Sequence, residues 1–182
     1  MACDLTKGRL EPCKDAVGGL KALYFANFDK AIYSEFTDTD GLITQLLNTP
    51  TTPIDLYKYE LRSSGHSIED ANELSGENGT SFFNTTVTAI LKQLDASTRA
   101  ELQLASYGRP HVIVEDYNGN YLLVGIENGC DVSVNQVSGA AMGDLSGYNL
   151  SITAQEKQMS YLVDPTIIGD DTQTSIVEGS AI

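Results

Sequence analysis

The chain has 182 residues, with eleven Lys and Arg against twenty-five Asp and Glu, so its formal net charge is −14. This length fits one domain with a core of its own. The acidic balance argues against a protein that binds the nucleic-acid backbone, because that affinity comes mostly from Lys and Arg.

Three cysteines occur, Cys3, Cys13 and Cys130, without Cys-x-x-Cys spacing. The pattern indicates neither a disulfide framework nor a zinc site, so we expect reduced thiols. The first residues lack a basic stretch followed by an apolar core, and no apolar run reaches the length of a membrane span. We therefore expect a protein that is made in a cytoplasm and has no membrane partner.

Alternating apolar residues predict strands throughout the first third of the chain. Residues 18–36 indicate two strands that turn near residues 27–30, and a shorter strand covers residues 42–47. Residues 54–61 then alternate at period two, as a half-buried strand does. This region is predicted to be β-structure without helix.

A polar, acidic segment over residues 62–79 is bracketed by Gly65 and Gly79 and predicts a long mobile loop. Residues 82–94 alternate again and are rich in β-branched side chains, which predicts a long strand. With the strand at residues 54–61, it would form an extended hairpin around the loop.

One helix is predicted, from Ala96 to Ser106. Ser97 or Asp95 can serve as its N-cap, and it ends before Gly108. We expect this helix to cover one edge or one face of the sheet.

The segment from residue 107 to residue 162 predicts a β-meander. Strand-like runs at residues 111–116 and 121–127 are joined by Asn118-Gly119, which is the strongest short signal for a type I′ hairpin. A glycine-rich turn at residues 139–147 leads into another run. The glycines are therefore predicted to fold strands and not to hold a ligand.

The end of the chain predicts a last strand at residues 159–163, followed by a polar tail. Such a tail is either disordered or ordered only by a partner. The predicted organisation is a single β-rich domain over residues 1–165 and a tail or assembly arm over residues 166–182.

Catalytic motifs are weak. Gly143-Asp-Leu-Ser-Gly147 superficially resembles the nucleophile segment of a serine hydrolase, but the two glycine positions around Ser146 are held by Asp144 and Tyr148. Asp38-Thr-Asp-Gly41 has aspartates at calcium-loop spacing without the downstream glutamate. The sequence therefore predicts no enzyme, cofactor or metal site, with a soluble serine hydrolase as the weak alternative.

Four aromatic residues allow two interpretations: Tyr57, Tyr59, Phe82 and Phe83. Aromatic side chains serve core packing and subunit interfaces equally well. Ordinary packing is the favoured interpretation, and a subunit interface is the alternative.

A family resemblance rests on residues 121–129, Tyr-Leu-Leu-Val-Gly-Ile-Glu-Asn-Gly, followed by residues 138–150 and Glu156-Lys157. In the order of these parts the chain resembles tail-tube-like virion proteins of tailed bacteriophages, in particular those of Bacteroidetes-infecting, crAss-like phages. The likeness covers residues 54–163. The N-terminal third does not align.

The resemblance implies a β-sandwich or barrel flanked by a helix, which forms rings that are typically hexameric and stack into a tube. Acidic rings would repel DNA, so that the genome passes without specific binding. The family's loop that contacts the next ring corresponds to residues 62–79. It offers four candidate inter-ring residues: Glu69, Asp70, Glu73 and Glu77.

The leading hypothesis is therefore a non-enzymatic virion protein, assembled in a host bacterial cytoplasm, that forms a ring or tail tube for genome passage. The alternative within virions is a head-to-tail connector or capsid-auxiliary protein, which would bind neighbouring virion proteins instead of polymerising alone.

Overall fold

Two β-sheets and one α-helix make up the computed structural model, which describes residues 7–11, 13–30, 32, 36–39, 41–47, 52–62, 64–170 and 172–179. The predicted mainly β sandwich with a flanking helix is confirmed. The strands are β1 (Leu20–Ala26), β2 (Thr37–Thr39), β3 (Leu42–Gln45), β4 (Ile54–Glu60), β5 (Ser67–Ser75), β6 (Thr80–Lys92), β7 (His111–Asp116), β8 (Tyr121–Val124), β9 (Asp131–Val137), β10 (Gly147–Glu156), β11 (Tyr161–Val163) and β12 (Thr174–Glu178). The helix α1 spans Ala96–Tyr107, and a 3-10 turn spans Pro165–Ile167.

Sheet A contains eight strands in the order β12-β4-β1-β7-β8-β11-β3-β2. Its two ends approach each other through Gln173, which lies just before β12. The Gln173 side-chain oxygen accepts from the backbone N–H groups of Leu46 (3.2 Å) and Leu47 (3.1 Å), while its backbone oxygen accepts from Ile54 N (2.9 Å). The sheet is therefore curled towards a barrel, and one buried amide bridges the opening.

Sheet B contains four strands in the order β5-β6-β10-β9, and every neighbouring pair is antiparallel. Its inner face packs on sheet A and forms the first core, in which Leu23 and Val114 of sheet A lie in the same cluster as Val87 and Leu150 of sheet B. Because both sheets contribute to one apolar cluster, neither can keep its core without the other.

A second core fills the opposite side of sheet A. Its members come from sheet A and the segments that follow β1, β3, β8 and β11: Ala22, Tyr24, Ala26, Ile32, Ile43, Leu46, Leu47, Leu56, Ile113, Leu123, Ile126, Val163 and Ile167. Sheet A is thus buried on both faces, which explains the continuous apolar run of β7.

Helix α1 begins at the predicted N-cap Asp95, whose carboxylate accepts from Thr98 N at 2.9 Å. Hydrogen bonds from Ser97 and Thr98 hold the pKa of Asp95 below its usual range. Leu102 is the buried residue of the helix and joins the first core. The helix therefore flanks the sandwich, as predicted.

The turn between β7 and β8 differs from the predicted type I′ geometry. Gly119 has a positive φ of 81°, but Asn118 does not. The Asp116 carboxylate accepts from the backbone N–H groups of Asn118 and Asn120, each at 2.8 Å. Asp116 therefore organises this turn, and the prediction of two positive φ angles was wrong.

Three segment predictions need correction. Residues 62–79 are not a continuous loop, because β5 occupies Ser67–Ser75 and pairs with β6 along its length. The extended hairpin is therefore β5–β6, whereas the strand at Ile54–Glu60 belongs to sheet A. The predicted meander is divided, because β7 and β8 belong to sheet A and β10 belongs to sheet B. Strand β9, which was not predicted, lies between β8 and β10 in the chain and pairs with β10.

The C-terminal segment is not a disordered tail. Strand β12 pairs in parallel with β4, and Thr174 at its start is fully buried. The domain therefore continues to at least Glu178 and does not end at residue 165. The predicted strand over residues 32–36 falls largely on positions outside the described ranges.

Candidate functional site

The outer face of sheet B is polar and has no second layer among the described elements. Strand pairing aligns two rows across it: Ser67, Thr88, Ser151 and Ser133, and Glu69, Thr86, Thr153 and Asp131. Central positions are hydroxyl residues, and the acids of the second row lie on the two edge strands. The alternation in β6 and β10 explains this, because their odd and even positions point to opposite faces.

Both outer strands of sheet B are open. Backbone hydrogen bonds connect β5 only to β6, and β9 only to β10, among the described residues. An unpaired strand edge is a template for another strand, and no bulge interrupts either pairing register. These two edges are the most evident binding feature of the molecule.

The hairpin β5–β6 projects past the rest of sheet B. Strand β10 pairs with β6 only as far as Phe83, whereas β5 and β6 continue to the pair Ser75–Thr80. Leu74 is exposed on this projection, and residues 76–79 form its turn. The tip is therefore held by two strands alone.

The four candidate acids separate into two groups. Glu73 and Glu77 lie on the projecting part, where both are exposed, and Glu69 lies on the outer face of sheet B. Asp70 instead points inward, and its carboxylate accepts from Ser160 N at 3.1 Å. Asp70 therefore has a structural role in holding β5 to sheet A, while the contact role of the other three stays a prediction.

The four aromatic candidates also lie in different surroundings. Tyr59 packs edge-to-face on Phe25, with ring centroids 5.3 Å apart, and contributes to the first core. Phe82 and Phe83 are half-buried on opposite faces of the β5–β6 hairpin, and Tyr57 is partly exposed on β4. Packing therefore accounts for Tyr59, and an interface role for the others stays a prediction.

A buried carboxylate that the sequence analysis missed organises the end of β8. Glu156, at the end of β10, accepts from Glu127 N (2.6 Å) and Asn128 N (3.2 Å). An open cleft of about 300 Å³ next to it is lined by Phe36, Tyr161 and Lys157 among others. The period-two pattern of β10 places Glu156 on the core face, which is the signal that could have revealed it.

Another buried carboxylate lies in sheet A. Glu115 accepts from Tyr24 OH at 2.7 Å and pairs with Lys21. Burial and this hydrogen bond raise the pKa of Tyr24, and the bond to Glu115 raises the pKa of Lys21. All three groups are satisfied by one another, so the cluster is structural.

The weak hydrolase motif does not have the geometry of a nucleophile turn. Ser146 ends the β9–β10 loop, and its backbone oxygen accepts from Gln93 N at 2.7 Å. A Cβ on Gly147 would lie 2.1 Å from the backbone oxygen of Leu91, so this glycine permits close strand packing.

Both histidines are engaged by backbone groups. His66 Nδ1 accepts from Ile90 N at 3.1 Å, whereas His111 Nε2 accepts from Asp29 N at 3.1 Å and Nδ1 contacts Gly125 O. Burial raises the pKa of the Cys130 thiol. Within the described ranges, no group of three or more His, Cys, Asp or Glu could hold a metal ion.

Across the described residues, α1 is too short and too polar to cross a membrane, and so is every other helical segment. No protein-family model, curated protein or solved structure matches the chain.

Proposed function

We propose that the protein is a non-enzymatic virion structural protein of a tailed bacteriophage, which self-assembles into a ring or tail tube through which the genome passes. The observation that supports this most is the four-stranded sheet B, which among the described residues has two open edges and an uncovered polar face. The family resemblance of residues 54–163 supplies the virion setting.

The strand directions of sheet B are suited to a cyclic assembly. Four antiparallel strands leave β5 and β9 running in opposite directions, so β9 of a second copy can pair antiparallel with β5 of the first. Repeating this head-to-tail contact gives a ring if the rotation closes. Every copy then uses two different edges, and both edges of sheet B are paired in the assembly.

The polar face would line the central channel in such a ring. Its central rows carry Thr and Ser, which offer no positive charge to the DNA backbone. Glu69 and Asp131 add negative charge at each junction between copies. Repulsion between these carboxylates and phosphates would let DNA slide without adhering.

The projecting end of the β5–β6 hairpin would contact the next ring. Glu73, Leu74 and Glu77 extend beyond the part of sheet B that β10 supports. A two-stranded tip with both apolar and charged groups can adapt its side chains to a second surface.

Negative-stain electron microscopy over a concentration series tests this proposal, with mass photometry on the same samples. Rings or stacked tubes with a central channel are the expected result. Dispersed monomers at the highest concentration, without any closed species, would contradict self-assembly and favour a connector or coat protein that requires other virion subunits.

A further inference from the structure

A single apolar row crosses sheet A from its covered half to its uncovered half. Register pairing aligns Leu23, Val114, Leu122, Leu162 and Leu42 side by side, on β1, β7, β8, β11 and β3. We call these five residues the apolar row. All five lie on the face that sheet B packs against, because their strand neighbours Ile113, Leu123, Val163 and Ile43 belong to the second core.

Burial changes sharply along the apolar row. Leu23 and Val114 are fully buried beneath sheet B, and Leu122 is half-buried. Leu162 and Leu42 are 44% and 37% exposed. The core face of sheet A therefore continues past the point where its own cover ends.

Strand β5 marks that point. Asp70 of β5 holds Ser160, two residues before Leu162. An open groove of about 220 Å³ lies between Ile68 of β5 and Leu122 of the apolar row. The exposed leucines thus begin where β5, the open edge of sheet B, leaves sheet A uncovered.

We propose that a second copy of this chain covers Leu162 and Leu42 with its strand β9 and helix α1. A strand added to β5 would extend sheet B over the exposed part of the apolar row. It would lie above that row at the usual separation of stacked sheets, about 10 Å. Helix α1 packs against β9, so the strand brings the helix with it. Two large side chains of α1 are exposed and can contribute, Leu104 at 62% and Tyr107 at 77% exposure.

This inference rests on the proposed β5–β9 junction and adds a second, apolar layer to it. An edge contact alone supplies hydrogen bonds that water also supplies, whereas burial of leucine supplies the larger driving force. The two exposed surfaces are different patches of one chain, as a head-to-tail contact requires.

Charge substitutions on the two sides test it: Leu162→Lys and Leu104→Glu, with Met142→Lys on the exposed β9–β10 loop as the matched control. Each of the first two should raise the concentration for half-association about tenfold or more, as loss of a central apolar contact does. The control should leave that concentration unchanged. Circular dichroism should show all three variants folded.

Mixing the two defective variants is the decisive measurement. Leu162→Lys copies and Leu104→Glu copies should associate with each other, because alternating copies form Lys–Glu and Leu–Leu contacts. Rings that form normally in both single variants would overturn the inference and leave the ring proposal intact. If the wild type forms dimers or open chains but no rings, and the substitutions at Leu162 and Leu104 weaken this association, the inference is supported and the ring proposal is overturned. A wild type that never associates would overturn both.

Discussion

Sheet A and sheet B solve the problem of exposed strand edges in opposite ways. Sheet A has eight strands, a core on each face, and Gln173 bridging its two ends. Within the described part of the chain, sheet B has four strands, one covered face and two open edges. A curled sheet whose opening is bridged serves as a scaffold, and a sheet with open edges is available for other chains.

The strongest test of this contrast concerns what the two sheets share. Replacing Leu23 by Ala removes a fully buried side chain from the first core, in which eight of the seventeen buried residues belong to sheet B. We expect a loss of about 2–5 kcal/mol in the free energy of unfolding. Urea unfolding followed by far-ultraviolet circular dichroism and by tyrosine fluorescence should give coincident transitions.

The exposed Leu74 provides the control, since Leu74→Ala should change stability by less than about 0.5 kcal/mol. Two separate transitions in the Leu23→Ala variant would show that the sheets are independent, contrary to the shared core.

The closure of sheet A is tested by Gln173→Ala. The substitution leaves the backbone N–H groups of Leu46 and Leu47 without their acceptor, and the backbone oxygen of Leu47 without its donor. Buried unpaired groups cost about 1–3 kcal/mol, and the thermal midpoint should fall accordingly. Gln136→Ala, at an exposed position near the end of β9, is the matched control, and equal midpoints for the two variants would argue against the bridge.

Acidification should lower the free energy of unfolding through protonation of His66, which lies just before β5. Burial lowers the pKa of His66 below its ordinary 6.5, and Nδ1 can accept from Ile90 N only while it is unprotonated. The unfolded chain takes up a proton near pH 6.5 and the folded chain only at lower pH. The contribution is therefore complete above pH 6.5 and is lost as the pH falls through the lowered pKa.

Urea midpoints at pH 7.5, 6.5 and 5.5 measure this dependence. The wild type should lose stability more steeply than His66→Gln, whose amide oxygen can still accept from Ile90 N at every pH. Parallel pH profiles for the two proteins would exclude His66 as the titrating group.

The smallest expected effect concerns charge at the edges of sheet B. Glu69 and Asp131 end the same row on opposite edges, so ring closure without stagger brings like charges together. Neutralising both as Glu69→Gln and Asp131→Asn should lower the concentration for half-association roughly 1.5- to 5-fold at low salt, the range for a cross-strand charge pair. Light scattering at 20 and 500 mM salt measures it.

Salt should reduce the difference between this double variant and the wild type, because screening weakens exposed like-charge repulsion. Glu11→Gln with Asp15→Asn, which changes the net charge equally at exposed positions outside sheet B and α1, is the control. An identical response of the two double variants would show that only total charge matters.

Local patterns predicted much of this fold. Alternation located β1, β4, β6, β7 and β10, and Asp95 was among the predicted caps of α1. These elements depend on neighbouring residues and on one buried face, which a single sequence displays directly.

The incorrect predictions concern features that depend on distant partners. Six of the nine residues of β5 are polar, and it is a strand because β6 pairs with it; β12 is ordered by β4 and Gln173. The candidate acids were grouped by sequence alone, yet Asp70 points inward and Glu69 outward because successive strand residues face opposite sides. The apolar row is invisible in the sequence, since its members come from five separate strands.

Disulfide capture of the β5–β9 junction tests the central claim most directly, with Ser67→Cys on β5 and Ser133→Cys on β9, which end the same row, in a background in which Cys3 and Cys13 are Ser. Within one copy these positions lie three strand spacings apart, about 14 Å, which is too far for a disulfide. Oxidation, or a short bis-maleimide reagent that tolerates a register offset, should give a covalent ladder that ends in a closed ring. A ladder no longer than that of a Ser67→Cys, Asp55→Cys control, whose second cysteine is exposed on β4 of sheet A, would contradict edge-to-edge assembly through sheet B.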